Sequence, residues 1–165
     1  MNVLFLSPWL PWPPFGGALI RILETLKWVA ERHQVTLLAL LRDREQERYV
    51  KELNGFCERV TTTLLSDDTP TVVRRLSAGL VRGRPLIQSM HYDARMADHL
   101  WRLTSENRYD IIHVEFSFMT PYLDAVNPVS QIGDQILEVP CNAAHRCIAG
   151  RQFLTHPVHA FGETS

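Results

Sequence analysis

Several features that would take this chain out of the ordinary globular class are scarce or missing. Its three cysteines, Cys57, Cys141 and Cys147, are too few and too unevenly spaced for a disulfide framework. They fit a reducing cytoplasm. A formal net charge of −1 gives no overall attraction to nucleic acid or to an anionic membrane. The N-terminus begins apolar, but it has no basic leader, and Pro11, Pro13 and Pro14 interrupt it early. A secretory signal and a membrane span both need a longer unbroken run. Internal repeats and low-complexity segments are also lacking. What is left is a 165-residue chain, 45% apolar and 21% charged, long enough for one domain with a substantial core.

Within that length, apolar patterning alternates between two periods. Val3, Leu4, Phe5 and Leu6 form a continuous run, as do residues 35–41 (VTLLALL), and each reads as a strand buried on both faces. Between them Leu19, Ile22, Leu23, Leu26, Val29 and Ala30 recur at steps of three and four, marking a helix from Ala18 that Glu31, Arg32 and His33 close. The three segments predict a right-handed βαβ unit. Residues 42–54 (RDREQERYVKELN) carry Tyr49, Val50 and Leu53 at helical spacing and predict a solvated helix stopped by Asn54-Gly55. Residues 56–65, rich in β-branched side chains, predict a third strand.

The loop at 66–70 is suited to cap a helix over 71–80, which residues 82–85 (RGRP) then break. A further helix spans 93–107, with Met96, Ala97, Leu100, Trp101 and Leu103 facing inward. Residues 109–115 (YDIIHVE) predict a fourth strand, 116–124 the start of another helix, and 136–139 a fifth strand stopped by Pro140. The fold class is therefore α/β: a Rossmann-like open parallel sheet of about five or more strands with helices on both faces. One domain would occupy residues 1–150, and 151–165, which show no periodicity, an irregular tail.

The chemistry concentrates after the first strand. There a Pro/Trp-rich loop leads to Gly16-Gly17, and a helix follows at once. The first N–H groups of a helix have no internal partners, and its dipole favours an anion, so strand, glycine loop and helix together point to a phosphate-containing ligand. The plain alternative is a tight turn that only glycine permits. Arg21, one helical turn on, could reach the same anion or simply face water. The spacing is not G-x-G-x-x-G, and Asp43 after the second strand is better placed to cap the charged segment than to hold a ribose. A dinucleotide dehydrogenase is a poor fit.

In the fourth strand His113 and Glu115 are two residues apart and share a face. Such a pair can do acid–base work or position a sugar hydroxyl. Equally, His113 can be a buried histidine satisfied by its neighbour. Trp9 and Trp12 could stack on a sugar or pack against the domain itself. Cys141, His145, Cys147, His156 and His159 have a spacing that matches no common zinc finger, and no metal is expected.

Taken in order, FLSPWLPWPPFGGALIR, LKWVAERHQVTLLAL, LNGFCERVTTTLL and YDIIHVEFSFMTPYL resemble the N-terminal domain of bacterial retaining glycosyltransferases of the two-Rossmann-domain GT-B architecture (glycosyltransferase family 4-like). The resemblance covers roughly residues 1–128. It implies a domain that binds an acceptor and touches the diphosphate of a nucleotide-sugar donor, without a metal or other cofactor. On that pattern Gly16, Gly17 and Arg21 form the donor diphosphate loop, and Glu115 and His113, at the acceptor side of the cleft, are the catalytic candidates.

The family's C-terminal Glu-x7-Glu motif has no counterpart here, and 165 residues do not accommodate a second Rossmann domain. The expectation is a domain inactive alone and completed by a C-terminal donor domain or a partner chain. An alternative from another class is a non-catalytic interaction or scaffold domain that docks another subunit or forms a homodimer. A third is a self-contained nucleotide-binding enzyme.

Overall fold

The computed structural model describes residues 1–126 throughout and, beyond them, the backbone of Gln135–Val139 and Gln152–Phe153. Strands β1 (Asn2–Ser7), β2 (Gln34–Leu41), β3 (Arg59–Leu64) and β4 (Ile111–Glu115) run parallel in the order β3-β2-β1-β4. The backbones of β5 (Gln135–Val139) and β6 (Gln152–Phe153) continue the sheet beyond β4. The fold is α/β with a parallel sheet flanked by helices, as the alternating periods predict.

Continuous apolar strands follow from this arrangement, because successive side chains on a strand enter opposite layers. Leu4, Leu6, Leu38, Leu40, Ile112 and Val114 enter one layer, where Met96 and Leu100 of α5 (Ala94–Glu106) and the ring of Tyr122 cover them. Val3, Phe5, Val35, Leu37 and Ala39 enter the other and meet Ile22, Leu23 and Leu26 of α1 (Gly17–Ala30). A helix of 14 residues is marginal by itself in water. Burial of those three side chains, at about 1.5–3 kcal/mol each, is what holds α1 to the sheet.

Polar caps fix where the other helices begin. Asp68 accepts the Thr71 N–H at 3.0 Å at the start of α3 (Thr69–Val81), where Pro70 occupies the first turn. Asp93 accepts the Arg95 N–H at 2.9 Å and starts α5. Asp43 and Gln46 form a reciprocal capping box, so Asp43 serves as a helix cap.

Five expectations need correction. Residues 42–54 do not form one helix but a 3-10 segment, Arg44–Tyr49, running into a single α-turn, α2 (Val50–Leu53). Only Leu53 in it is buried, so no apolar stripe is long enough to draw a regular helix onto the sheet. Trp101 is exposed: it lies a full residue step from the buried line Met96, Leu100, Leu103 and Thr104. The third strand starts at Arg59, because Phe56 and Cys57 close the preceding turn through the Cys57 N–H to the Leu53 carbonyl, 2.8 Å. Where residues 82–85 were expected only to break the chain, a short helix follows directly, α4 (Leu86–His91).

That helix packs closely on α3. A Cβ at Gly79 would stand 1.9 Å from Ser89 Oγ, so only glycine permits the approach. After β4 the chain forms a 3-10 segment, Ser117–Ala125, in place of an α-helix, with Pro121 inside it. Among the described residues no helix is long and apolar enough to cross a membrane. The expected tail and the Cys141–His159 cluster lie outside the described residues, apart from the Gln152–Phe153 backbone.

Candidate functional site

The order β3-β2-β1-β4 makes the gap between β1 and β4 the point where chain connections turn in opposite directions. Open α/β sheets bind ligands at such a point, beyond the carboxyl ends of the strands. Here the ends are Ser7 and Glu115, followed by the Trp/Pro loop and by Phe116. The expected site residues lie on β4 (His113, Glu115), at the end of the loop after β1 (Gly16) or in the first turns of the helix that follows it (Gly17, Arg21).

The loop after β1 is held by its own contacts. Ser7 Oγ donates to the Trp9 carbonyl at 2.6 Å, the Trp12–Pro13 peptide is cis, and the Phe15 N–H reaches the Pro13 carbonyl at 2.8 Å. Gly16 then adopts φ 88° and ψ 157°, a conformation open essentially to glycine alone. Its carbonyl accepts the first helical bond, from Ile20 at 3.1 Å. Helix α1 opens with no side-chain cap and no acidic residue in its first turn, whereas α3 and α5 both open on aspartates. Its positive end is thus left to solvent at exposed Gly17 and Ala18. Among the described residues, no atom outside its own helical turn lies within 4 Å of where a Cβ would stand on Gly17.

Beside this helix end sits a small charged network. Glu115, 0% exposed, accepts Arg21 Nη2 on Oε2 at 2.8 Å, and its Oε1 lies 3.3 Å from His113 Nε2. The alternation of β4 brings His113 and Glu115 to one face, as their spacing predicts. Phe5 is the cross-strand partner of His113, and the two rings stack with centroids 4.3 Å apart. His113 is sealed between that ring and the carboxylate, and Arg21, 38% exposed, is the member of the network that reaches solvent. As an arginine paired on one edge, it retains donors on the other.

A largely buried aromatic cluster packs behind the rim. Phe116 takes φ 69°, a left-handed conformation that is strained for a bulky residue, at the carboxyl end of β4. That turn places its ring 4.8 Å from the Arg21 guanidinium and 5.2 Å from each of Trp9 and Phe118. His91, from the unexpected α4, packs on Phe118 at 4.4 Å and meets Trp9 edge-on at 6.2 Å. Trp9 and Trp12 are both partly buried against the α1 layer. Sequence reasoning missed His91 and Phe118, and it placed Phe116 at the cleft without its left-handed turn. Nothing in the pattern of residues 86–91 signals a helix, and the left-handed turn at Phe116 has no composition signature.

The residues brought together can do a limited set of things. Free N–H groups at a helix start bind an anion, and a half-exposed arginine adds charge-assisted donors. Among the described residues no group of three or more His, Cys, Asp or Glu side chains could hold a metal ion. No family model matches this chain, and neither does any curated protein or solved structure.

Proposed function

We propose that this chain is the acceptor-side Rossmann-like domain of a retaining glycosyltransferase, contacting the diphosphate of a nucleotide-sugar through Gly16-Gly17. The observation that carries the reading is the uncapped start of α1 opening at the β1/β4 gap beside the Arg21–Glu115 pair. Sugar transfer to an acceptor hydroxyl makes the sugar more positive and the departing diphosphate more negative. Backbone N–H groups preorganised at a helix start offset the second charge as it grows. Arg21 would add its free edge, and Glu115 and His113 would hold Arg21 in place from beneath. A second, donor-holding domain is required for turnover, so this domain alone binds but does not transfer.

Exposed Phe15 and Ile20 flank the glycine pair, and they favour a second reading in which this rim docks another subunit. Calorimetric titration with UDP, GDP and their sugars separates the two. Binding that disappears in Gly17→Val, a variant with open space for its side chain, supports the ligand site. Absence of binding by a stable dimer in sedimentation equilibrium refutes it in favour of docking.

A further inference from the structure

A second basic site lies away from the β1/β4 gap, between α3, α4 and the start of α5. A cavity of about 560 Å³ opens there, and five arginines line it: Arg74, Arg75, Arg82, Arg84 and Arg95. Among the described residues Asp93 is the one carboxylate in its wall. Burial acts to raise the Asp93 carboxyl, but hydrogen bonds from Arg95 and the charges of Arg95 and Arg75 outweigh it and hold it below the usual range. Asp93 is therefore ionised and already engaged: Arg95 Nε and Nη2 reach its two oxygens at 3.0 and 2.9 Å.

The other guanidiniums are not neutralised in the same way. Arg75 donates to two backbone carbonyls, Ser66 and Met90, at 2.6 and 3.0 Å. Arg84 stacks on the Tyr92 ring and meets exposed Asp124 only at 3.4 Å. Arg74 and Arg82 are exposed and form no ion pair among the described residues. Residues 69–92 contain four of these arginines and not one Asp or Glu. Like charges gathered around one cavity repel, and an arrangement of this kind is favourable when an anion occupies it.

We propose that this cavity is a phosphate-binding site, suited to a diphosphate or to two neighbouring phosphate groups. Guanidinium forks match phosphate oxygens two at a time, and five of them exceed what a single carboxylate ligand uses. The phosphate has two sources, a soluble phosphorylated molecule or the headgroup of an anionic lipid. The same helix pair exposes Leu80 and Val81, 81% and 88% accessible, together with Leu86, Ile87 and Met90. Apolar side chains among arginines are what a lipid headgroup region accommodates. The inference does not depend on the glycosyltransferase reading.

The test uses the full chain, with inorganic pyrophosphate in calorimetry and with co-sedimentation on phosphatidylglycerol/phosphatidylcholine vesicles against phosphatidylcholine alone. Wild type is compared with Arg74→Ala/Arg82→Ala and with Arg74→Lys/Arg82→Lys, each pair also built on Gly17→Val so that diphosphate held at the start of α1 does not mask the effect. In the Gly17→Val background the expected result is binding weakened at least about tenfold by the alanine pair and largely restored by the lysine pair. Pyrophosphate binding with that profile identifies a soluble ligand. The same profile on anionic vesicles alone identifies a lipid headgroup. Two results overturn the proposal: no binding to either probe in the Gly17→Val background, or binding in that background that the alanine pair leaves intact. Matching thermal melts for wild type and the alanine pair exclude a folding defect.

Discussion

Cutting Arg21 away from Glu115 tests whether the charged network at the β1/β4 gap is as tightly coupled as its geometry implies. Glu115 has no exposed surface, and its strongest partner is the Arg21 guanidinium at 2.8 Å. Removing one member of a buried pair costs about 3–5 kcal/mol, because the remaining charge keeps its desolvation and loses its counterion. The Arg21 side chain is 38% exposed, so water already screens part of the attraction, and Arg21→Met should cost about 2–3 kcal/mol. For a chain of this size that lowers Tm by about 4–12 °C. Glu115→Gln reverses the situation: the arginine left behind can turn to water, and the loss should be about 1 kcal/mol. In the double variant no buried charge remains, so it should be more stable than the sum of the two losses implies by at least about 1 kcal/mol. Urea denaturation followed by circular dichroism of the four proteins measures each corner. Additivity within about 0.5 kcal/mol, or a Glu115→Gln loss as large as that of Arg21→Met, would refute the argument.

Three further substitutions probe the surrounding structure. Gly16→Ala should cost about 1–3 kcal/mol, since φ 88° with ψ 157° strains any side chain, while Gly17→Ala should be neutral or stabilise by up to about 1 kcal/mol; denaturant midpoints distinguish the neighbours. Gly79→Ala should destabilise by about 1–3 kcal/mol by pushing α3 off Ser89, and adding Ser89→Gly should recover part of that loss in thermal melts. Burial pushes the Cys57 thiol up to about 12, so in a Cys141→Ser/Cys147→Ser background it should resist alkylation at pH 8 until the protein is unfolded. Rapid labelling of the native protein would contradict that.

Much of the fold was legible because parallel strands covered on both faces have a distinctive pattern. β1, β2 and β4 are nearly continuous apolar runs, and α1 and α5 each present one apolar stripe, so their periods could not be confused. The elements that escaped are those whose side chains do not obey the inside-outside rule. In α4, Leu86, Ile87 and Met90 face solvent while Ser89 and His91 are buried, the reverse of an amphipathic signal. Residues 44–53 bury one side chain and therefore have no stripe to read. At the gap between β1 and β4, the shared face of His113 and Glu115 followed from strand alternation alone. The pairing of Arg21 with Glu115 spans 94 residues and depends on two elements meeting, which no local pattern encodes.

That pairing changes which residue should govern ligand binding. An unpaired Arg21 would dominate any anion site nearby, because its full charge would face the ligand. In the structure its Nη2 is committed to Glu115 and its plane lies against Phe116, so only the outer edge of the guanidinium is free. The carboxylate also offsets much of the positive field that a ligand would feel. Among the described residues, the backbone N–H groups at the uncapped start of α1 carry no such counterion and face open space at Gly17. Under the proposed function, Gly17→Val should therefore weaken nucleoside-diphosphate binding by at least about tenfold, and Arg21→Met by only about threefold at a temperature where both variants are folded. Calorimetric titration with UDP and GDP measures both. A larger loss from Arg21→Met than from Gly17→Val would show that the guanidinium, and not the helix start, holds the anion, and the loop would then be a turn that only positions Arg21.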